Sequence, residues 1–408
     1  MILGSCPKRI VLSGPSGFLG SRVVDQIVEA HQLRKAHNLP PGQLVLLSGS
    51  PGRLMARLTQ QYGEKMHSVR ASRVDYFVQH EVDDWVNHLG SLGLEGPDSV
   101  FVNLAAVAGP KEGYRDAMFD VNYKAAKAAA EASRALNFGH FIQSSTQATV
   151  TERAGQVPYS RGKAMADFAL SRMNNLPITI CCLGLLYCRI AGGVGQDISS
   201  ERTLNLTDLS LLPMTPILGD GTAPLQPLEV MDAARRISLL AFTDPMLRPM
   251  QLESSPKIEQ MQRSSPQLRV YDAVGPETMS FLELLKKFAK YQKNERFWPV
   301  FIDYRNMERV LNVKSLGNLN RQFVTLLRSE QEGKSKKVIG HPGVFDNLLP
   351  DEPLLTLDKA MGGTNKSGRS FPYIKTLRWA LDNPKVIPYG LMLGAEIFVS
   401  AIQRRRPT

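Results

Sequence analysis

Between residues 8 and 183, short apolar runs recur with longer helix-patterned stretches between them, the period of βαβ units. The runs that predict strands are residues 9–13, 44–48, 69–75, 99–104, 140–145 and 178–183. The intervening helices are expected over residues 20–30, over 114–137 with its alanine-rich centre at 125–132, and from Tyr159 to about Met173. Residues 33–42, which end in Pro-Pro-Gly, read as a loop that lengthens the first crossover. Six strands alternating with helices predict an α/β fold built on a doubly wound parallel Rossmann sheet.

Past Tyr187 the pattern changes. Gly192, Gly193 and Gly195 open a loop, and residues 205–222 alternate short apolar patches with Pro and Gly, as expected of a smaller C-terminal substrate lobe. A helix over 230–242 returns the chain to the main body. The stretch 244–267, with Pro245, Pro249, Pro256 and Pro266, reads as an irregular excursion. A strand at 268–273, a Gly275-Pro276 turn and a helix at 280–292 follow, with Ser280 as N-cap and Glu283 at the capping-box position. Residues 305–340 are basic and helical in pattern, and the chain is turn-rich to Tyr373. The division expected is 8–190 for the dinucleotide-binding domain, 191–295 for the substrate lobe with its return segments, and 296–408 for a mostly helical extension. Within that extension residues 386–402 are apolar, yet shorter than a usual membrane span and interrupted by Pro388 and Glu396. They read as a packed terminal helix, or as a membrane-surface attachment ahead of Arg404, Arg405 and Arg406.

Composition narrows the function class. The chain has 408 residues, 43% hydrophobic and 21% charged, enough to bury a large core. Its four cysteines, Cys6, Cys181, Cys182 and Cys188, form no CxxC pair and have no His cluster beside them, so neither a metal site nor a disulfide framework is expected. The formal charge of +11 is dispersed, with basic runs only at 334–337 and 404–406, which argues against a nucleic-acid surface. No secretory or transit pattern precedes the first strand, and a reducing, cytoplasmic setting is the expectation.

Three segments carry chemistry. Ser13-Gly14-Pro15-Ser16-Gly17-Phe18-Leu19-Gly20 is a GxxGxxG turn between a strand and a helix; the glycines let backbone approach a pyrophosphate whose charge the helix N-terminus stabilises. After the second strand comes Leu47-Ser48-Gly49-Ser50-Pro51-Gly52-Arg53, with no carboxylate to accept from a ribose 2′-hydroxyl; Ser48, Ser50 and Arg53 suit a 2′-phosphate, so NADP(H) is favoured over NAD(H). The second segment is Tyr159-Ser160-Arg161-Gly162-Lys163: Tyr and Lys four apart share a helix face, where an ammonium lowers a phenol's pKa toward acid–base use. The third, Gln143-Ser144-Ser145-Thr146-Gln147, ends the fifth strand, where its hydroxyls either orient a substrate oxygen or cap the following segment.

In this order, over about residues 8–290, these elements resemble the extended and atypical short-chain dehydrogenase/reductases. That is the NAD-dependent epimerase/dehydratase-like group, in which similarity extends to the 39 kDa-type accessory subunit of complex I. Supporting segments are Asp75, Asn103-Leu104-Ala105-Ala106, Asp120-Val121-Asn122, Gly219-Asp220-Gly221, Gln226 to Arg235, and Tyr271 to Glu277. The resemblance implies Tyr159 as catalytic acid/base, Lys163 on the nicotinamide ribose and tuning Tyr159, and Thr146, supported by Ser145, positioning the reacting oxygen. It implies Asp75 at the adenine, Ala105 beside the cofactor and Asn122 supporting the active-site helix. The implied activity is hydride transfer on a small-molecule substrate. The alternative it implies is a non-catalytic NADP(H)-binding subunit, held to a protein complex or membrane surface by its C-terminal extension and located in mitochondria, peripheral to the inner membrane. One departure stands out: the group's Arg-Pro after the sixth strand is replaced by Cys182-Leu183, and its Tyr-Gly by Tyr187-Cys188.

Overall fold

The computed structural model describes residues 9–66, 68–107, 118–150, 158–187, 214–247, 256–291, 297–302 and 339–362. The first half runs β1 (Arg9–Ser13), α1 (Phe18–Ala36), β2 (Gln43–Ser48), α2 (Pro51–Tyr62), β3 (Val69–Arg73), α3 (Val82–Ser91) and β4 (Ser99–Asn103). A π-helical turn (Asp120–Ala125) leads into α4 (Ala126–Ala135), β5 (His140–Thr146), α5 (Pro158–Ser171), β6 (Ile178–Leu183) and β7 (Leu186–Tyr187). Then come β8 (Met214–Leu218), β9 (Pro224–Leu225), β10 (Leu228–Glu229), α6 (Val230–Ala241), α7 (Pro256–Ser264), β11 (Leu268–Ala273), β12 (Met279–Ser280), α8 (Phe281–Tyr291) and β13 (Trp298–Ile302). Two short helices close the described chain, α9 (Gly343–Asp346) and α10 (Leu357–Gly362).

Seven strands form one sheet in the order β3-β2-β1-β4-β5-β6-β11, every pairing parallel. The order reverses between β1 and β4, which puts the glycine turn at the crevice where such sheets bind ligands. Both faces are covered, which is why β1, β2, β4 and β6 are apolar through their centres rather than alternating. Ile10 and Leu12 of β1 pack with Val23, Val24 and Ile27 of α1 and Ile237 of α6; Val11 points the other way, among Trp85, Phe101, Phe141 and the α4 alanines. A third cluster, Tyr187, Ile217, Leu225, Phe281, Leu284 and Phe288, builds the smaller lobe.

Two expectations are corrected. The stretch 244–267, read as an irregular excursion, holds α7, with Pro256 at its first position, where a proline's missing N–H costs no helix bond. Residues 33–36, read as loop, are the last turn of α1, because Leu-Arg-Lys-Ala are good helix formers; the helix stops only at Asn38, whose φ of 56° is left-handed. The capping box at α8 forms as expected, Ser280 N–H donating to Glu283 at 2.7 Å and Glu283 N–H to the Ser280 hydroxyl at 3.2 Å.

Residues 339–362 are strapped to the body by buried polar groups. Arg236 of α6, fully buried, donates to Phe345 O at 2.9 Å, to Asp346 Oδ1 at 3.0 Å and to Glu352 O at 2.6 Å. No helix among the described residues is long and apolar enough to cross a membrane. The apolar segment 386–402, both basic runs, Cys6, Cys188, the loop at 190–213 and the helical pattern at 305–338 lie outside the described residues.

Candidate active site

Of the three motif glycines, two are demanded by the protein's own packing. Gly14 has φ +71°, and a Cβ there would sit 2.8 Å from the backbone of Leu104 and Ala105. At Gly20 a Cβ would lie 2.0 Å from the Gly14 carbonyl oxygen, so α1 crosses the turn in direct backbone contact. Gly17 differs: its φ is an ordinary −76°, and a Cβ would meet only the Gly14 oxygen at 3.4 Å. The protein does not need glycine at 17; the clear space above it is what a bound group would need. That space is faced by the N-terminus of α1, which has no side-chain cap and no acidic residue in its first turn. Ser16 is exposed at the rim and Phe18 half-buried, while Leu19 packs in the core and offers a ligand only its backbone.

The turn is tied to the far side of the sheet. The Ser13 hydroxyl donates to Asn103 Oδ1 and accepts from Leu104 and Ala105 N–H at 3.1 and 3.2 Å. Asn103 donates to Gln143 Oε1 at 2.8 Å, and Gln143 to Ser144 O at 3.0 Å. This ladder across β1, β4 and β5 fixes the glycine turn relative to Ser145 and Thr146. Its roles for Asn103 and Gln143 were not readable beforehand, since only strand register brings them together.

At the other side of the turn Ser48 ends β2, and its hydroxyl accepts from Ser50 N–H at 3.2 Å. Ser50 stands at the N-cap of α2 without a capping side-chain bond, and Arg53, one turn in, is exposed. Asp75 is exposed too; its carboxylate accepts from Phe77 N–H at 3.0 Å and so closes its own turn. Ala105 is buried against Gly14.

Tyr159, Lys163 and Asp167 lie along one face of α5 at four-residue steps, opposite the end of β5. Tyr159 is half-buried; Lys163 and Asp167 are 1% and 2% exposed. The Ser145 hydroxyl donates to Asp167, and Lys163 Nζ donates to Ser144 O at 2.9 Å. The lysine therefore faces β5. Burial, then the Asp167 charge, push Tyr159 up to about 12. Burial lowers Lys163, against an upward pull from Asp167. In this arrangement the Lys163 ammonium turns to Ser144 O, and Tyr159 keeps its proton. The Thr146 hydroxyl accepts from Ala148 N–H at 3.3 Å, the capping use foreseen as one option. Asn122 holds Val107 by both backbone groups, at 2.9 and 3.0 Å, and its Cβ lies 3.1 Å from where a Cβ on Gly162 would be, so α5 rests on it. Asp167 went unnoticed in the sequence, although its place four residues after Lys163 was visible there.

Where the sequence carries Cys182-Leu183, Gln147 donates to Cys182 O at 3.3 Å and to Asp272 Oδ1. Asp272 also accepts from His341 N–H at 3.0 Å, and Gly340 exchanges two hydrogen bonds with the Gln226 side chain. The strap thus reaches the carboxyl edge of the sheet beside Thr146. Cys181 and Cys182 are buried, and burial pushes the Cys181 thiol up to about 12, which leaves it inert.

No protein-family model matches the chain, and no curated protein matches it in sequence. Solved structures share its fold. An epimerase, Mth375, from Methanothermobacter thermautotrophicus is 12% identical over 95% of this chain and 96% of that one, with a TM-score of 0.54. A thiolation-reductase di-domain from an archaeal non-ribosomal peptide synthetase is 13% identical over 91% of this chain and 76% of that one, at 0.57. Pal from Bacillus thuringiensis is 14% identical over 90% of this chain and 99% of that one, at 0.52. At such identities the likeness establishes the Rossmann-like α/β fold alone.

Proposed function

We propose that this chain binds a nicotinamide dinucleotide in the Gly14–Gly20 turn and acts as an oxidoreductase or epimerase-like enzyme of the extended short-chain dehydrogenase/reductase type on a small-molecule substrate. The observation that carries the reading is Gly17: a glycine the fold does not require, at an uncapped helix N-terminus, tied through Ser13, Asn103 and Gln143 to the strand end that bears Thr146. These residues fit the group, with backbone N–H donors for a pyrophosphate and open space where a side chain would intrude.

When bound, the dinucleotide gives or takes a hydride at its nicotinamide ring. Tyr159 then exchanges the proton on the substrate oxygen, as donor in the present arrangement, and Thr146 orients that oxygen. Lys163 would leave Ser144 O for the nicotinamide ribose, and Asp75 would meet the adenine. Arg53, exposed on the first turn of α2, supports NADP(H) by its reach to a 2′-phosphate, whereas the Ser48 hydroxyl is already engaged.

Fluorescence titration with NADPH and NADH tests the binding half; saturation by neither would sink the proposal. With a substrate found among carbonyl compounds and nucleotide sugars, Tyr159→Phe is expected to lower turnover by about 100-fold or more while leaving cofactor affinity unchanged.

A second reading, a cofactor-bearing structural subunit like the complex I type, draws support from the inward-facing Lys163 and from the strap against Gln147 and Asp272. It requires that the native protein sediment in a large membrane-associated assembly; sedimentation alone removes it.

A further inference from the structure

Two side chains converge on one backbone oxygen near the carboxyl end of β5. Ser144 O accepts from Gln143 Nε2 at 3.0 Å and from Lys163 Nζ at 2.9 Å, and all three residues are buried. A carbonyl oxygen offers two lone pairs, which a neutral amide and an ammonium here share between them. The amide is fixed from behind: Gln143 Oε1 accepts from Asn103 Nδ2 at 2.8 Å, and Asn103 Oδ1 accepts from the Ser13 hydroxyl. Gln143 and Ser145, two apart on the strand, share one face of β5, and Ser145 meets Asp167 of α5 there.

Lys163 has to give up Ser144 O before its ammonium can reach a ribose. A buried carbonyl left without a donor costs more than the bond it has lost. Gln143 removes that cost. Held by Asn103, its amide stays in place when the lysine moves, and Ser144 O keeps a donor while the ammonium is away.

We infer that Gln143 is a positioning residue for Lys163: its hydrogen bond to Ser144 O frees the ammonium to exchange between that oxygen and the ribose hydroxyls of a bound dinucleotide. The inference rests on the dinucleotide reading above and adds to it a residue that acts only through the lysine.

Gln143→Glu separates this role from packing. The new carboxylate still accepts from Asn103, so the tie to Ser13 and the glycine turn is kept, but nothing donates to Ser144 O in place of the amide and a negative charge stands beside the ammonium. NADH and ADP are titrated against wild type and variant by calorimetry; ADP reaches the glycine turn but has no nicotinamide ribose. Gln143→Glu is expected to raise the Kd for NADH roughly tenfold or more and to leave that for ADP within about twofold. The alkaline limb of NADH binding, where Lys163 loses its proton, should move to higher pH, because the added carboxylate favours the ammonium. Asp167 and Tyr159, the other titratable groups along that face of α5, are the same in both proteins. Gln143→Met, which brings no charge, should show the same selective loss, and with Lys163→Met already in place it should change NADH affinity by less than about twofold. Equal weakening of NADH and ADP in both variants, unaltered NADH binding, or the same loss with Lys163 already replaced overturns the role of Gln143 while the dinucleotide site stands. Wild-type binding of neither NADH nor ADP overturns both.

Discussion

Substituting Gly17 and Gly20 separately by alanine distinguishes a glycine kept for a ligand from one kept for packing. At position 20 the new methyl would lie 2.0 Å from the Gly14 oxygen, far inside contact distance, so α1 must move off the turn. The cost is that of overpacking a tight backbone crossing, about 1–3 kcal/mol or more. At position 17 the methyl meets only one oxygen at 3.4 Å, and a φ of −76° suits alanine. Its structural cost is the poorer N-cap, no more than about 1 kcal/mol. The ligand sees the reverse: the methyl fills the space in front of the α1 N–H groups and holds a pyrophosphate away from them, for a loss of at least about 1.4 kcal/mol, or tenfold in Kd. Urea unfolding and NADH or NADPH titration of both variants read the two effects apart. Gly17→Ala should unfold nearly as the wild type does and bind poorly, while Gly20→Ala loses stability first. Wild-type affinity in Gly17→Ala would refute the cradle, and equal destabilisation of the two variants would make Gly17 a packing glycine.

Arg236→Ala removes the buried donor to Phe345 O, Asp346 Oδ1 and Glu352 O and is expected to cost about 1–3 kcal/mol, with residues 339–362 opened to proteolysis; no loss in urea unfolding would contradict the strap. His31 is buried against Phe242, and burial, then Arg34, lower its pKa from 6.5 to about 4. The unfolded chain therefore takes up the proton first as pH falls, and stability present in full above pH 6.5 is lost toward pH 4, by about 3 kcal/mol. His31→Gln should flatten that slope, and parallel pH profiles for variant and wild type would exclude it. Asp167→Asn removes the charge that holds Lys163 up and should shift the pH limit of cofactor binding downward; an unmoved profile would remove Lys163 from that site.

Much of the frame was legible because it is local. Strand periodicity, the glycine turn, the α8 capping box and the helix bearing Tyr159 each depend on neighbours within a few residues, and all appear where the pattern puts them. Local signals also misled: the Pro-Pro-Gly at 40–42 suggested an early end to α1 that Leu33 to Ala36 do not allow. The four-residue spacing of Tyr159 and Lys163 puts both on one helix face, but spacing says nothing of a third residue there. Asp167 and Ser144 O lie where the lysine turns, and they hold it there.

By itself the sequence determined most of the elements, the parallel sheet and the glycine turn, since hydrophobic period and glycine placement act over short stretches of chain. Tertiary structure decided which polar groups meet. Gln147 finds Asp272 across 125 positions, Arg236 finds Glu352 across 116, and Tyr76 reaches Leu47 across 29. Each of these pairs is made when strands align in register or the chain folds back over the sheet, and a buried polar group must take whatever partner that alignment brings, because leaving it unpaired in the interior costs more than the bond itself is worth.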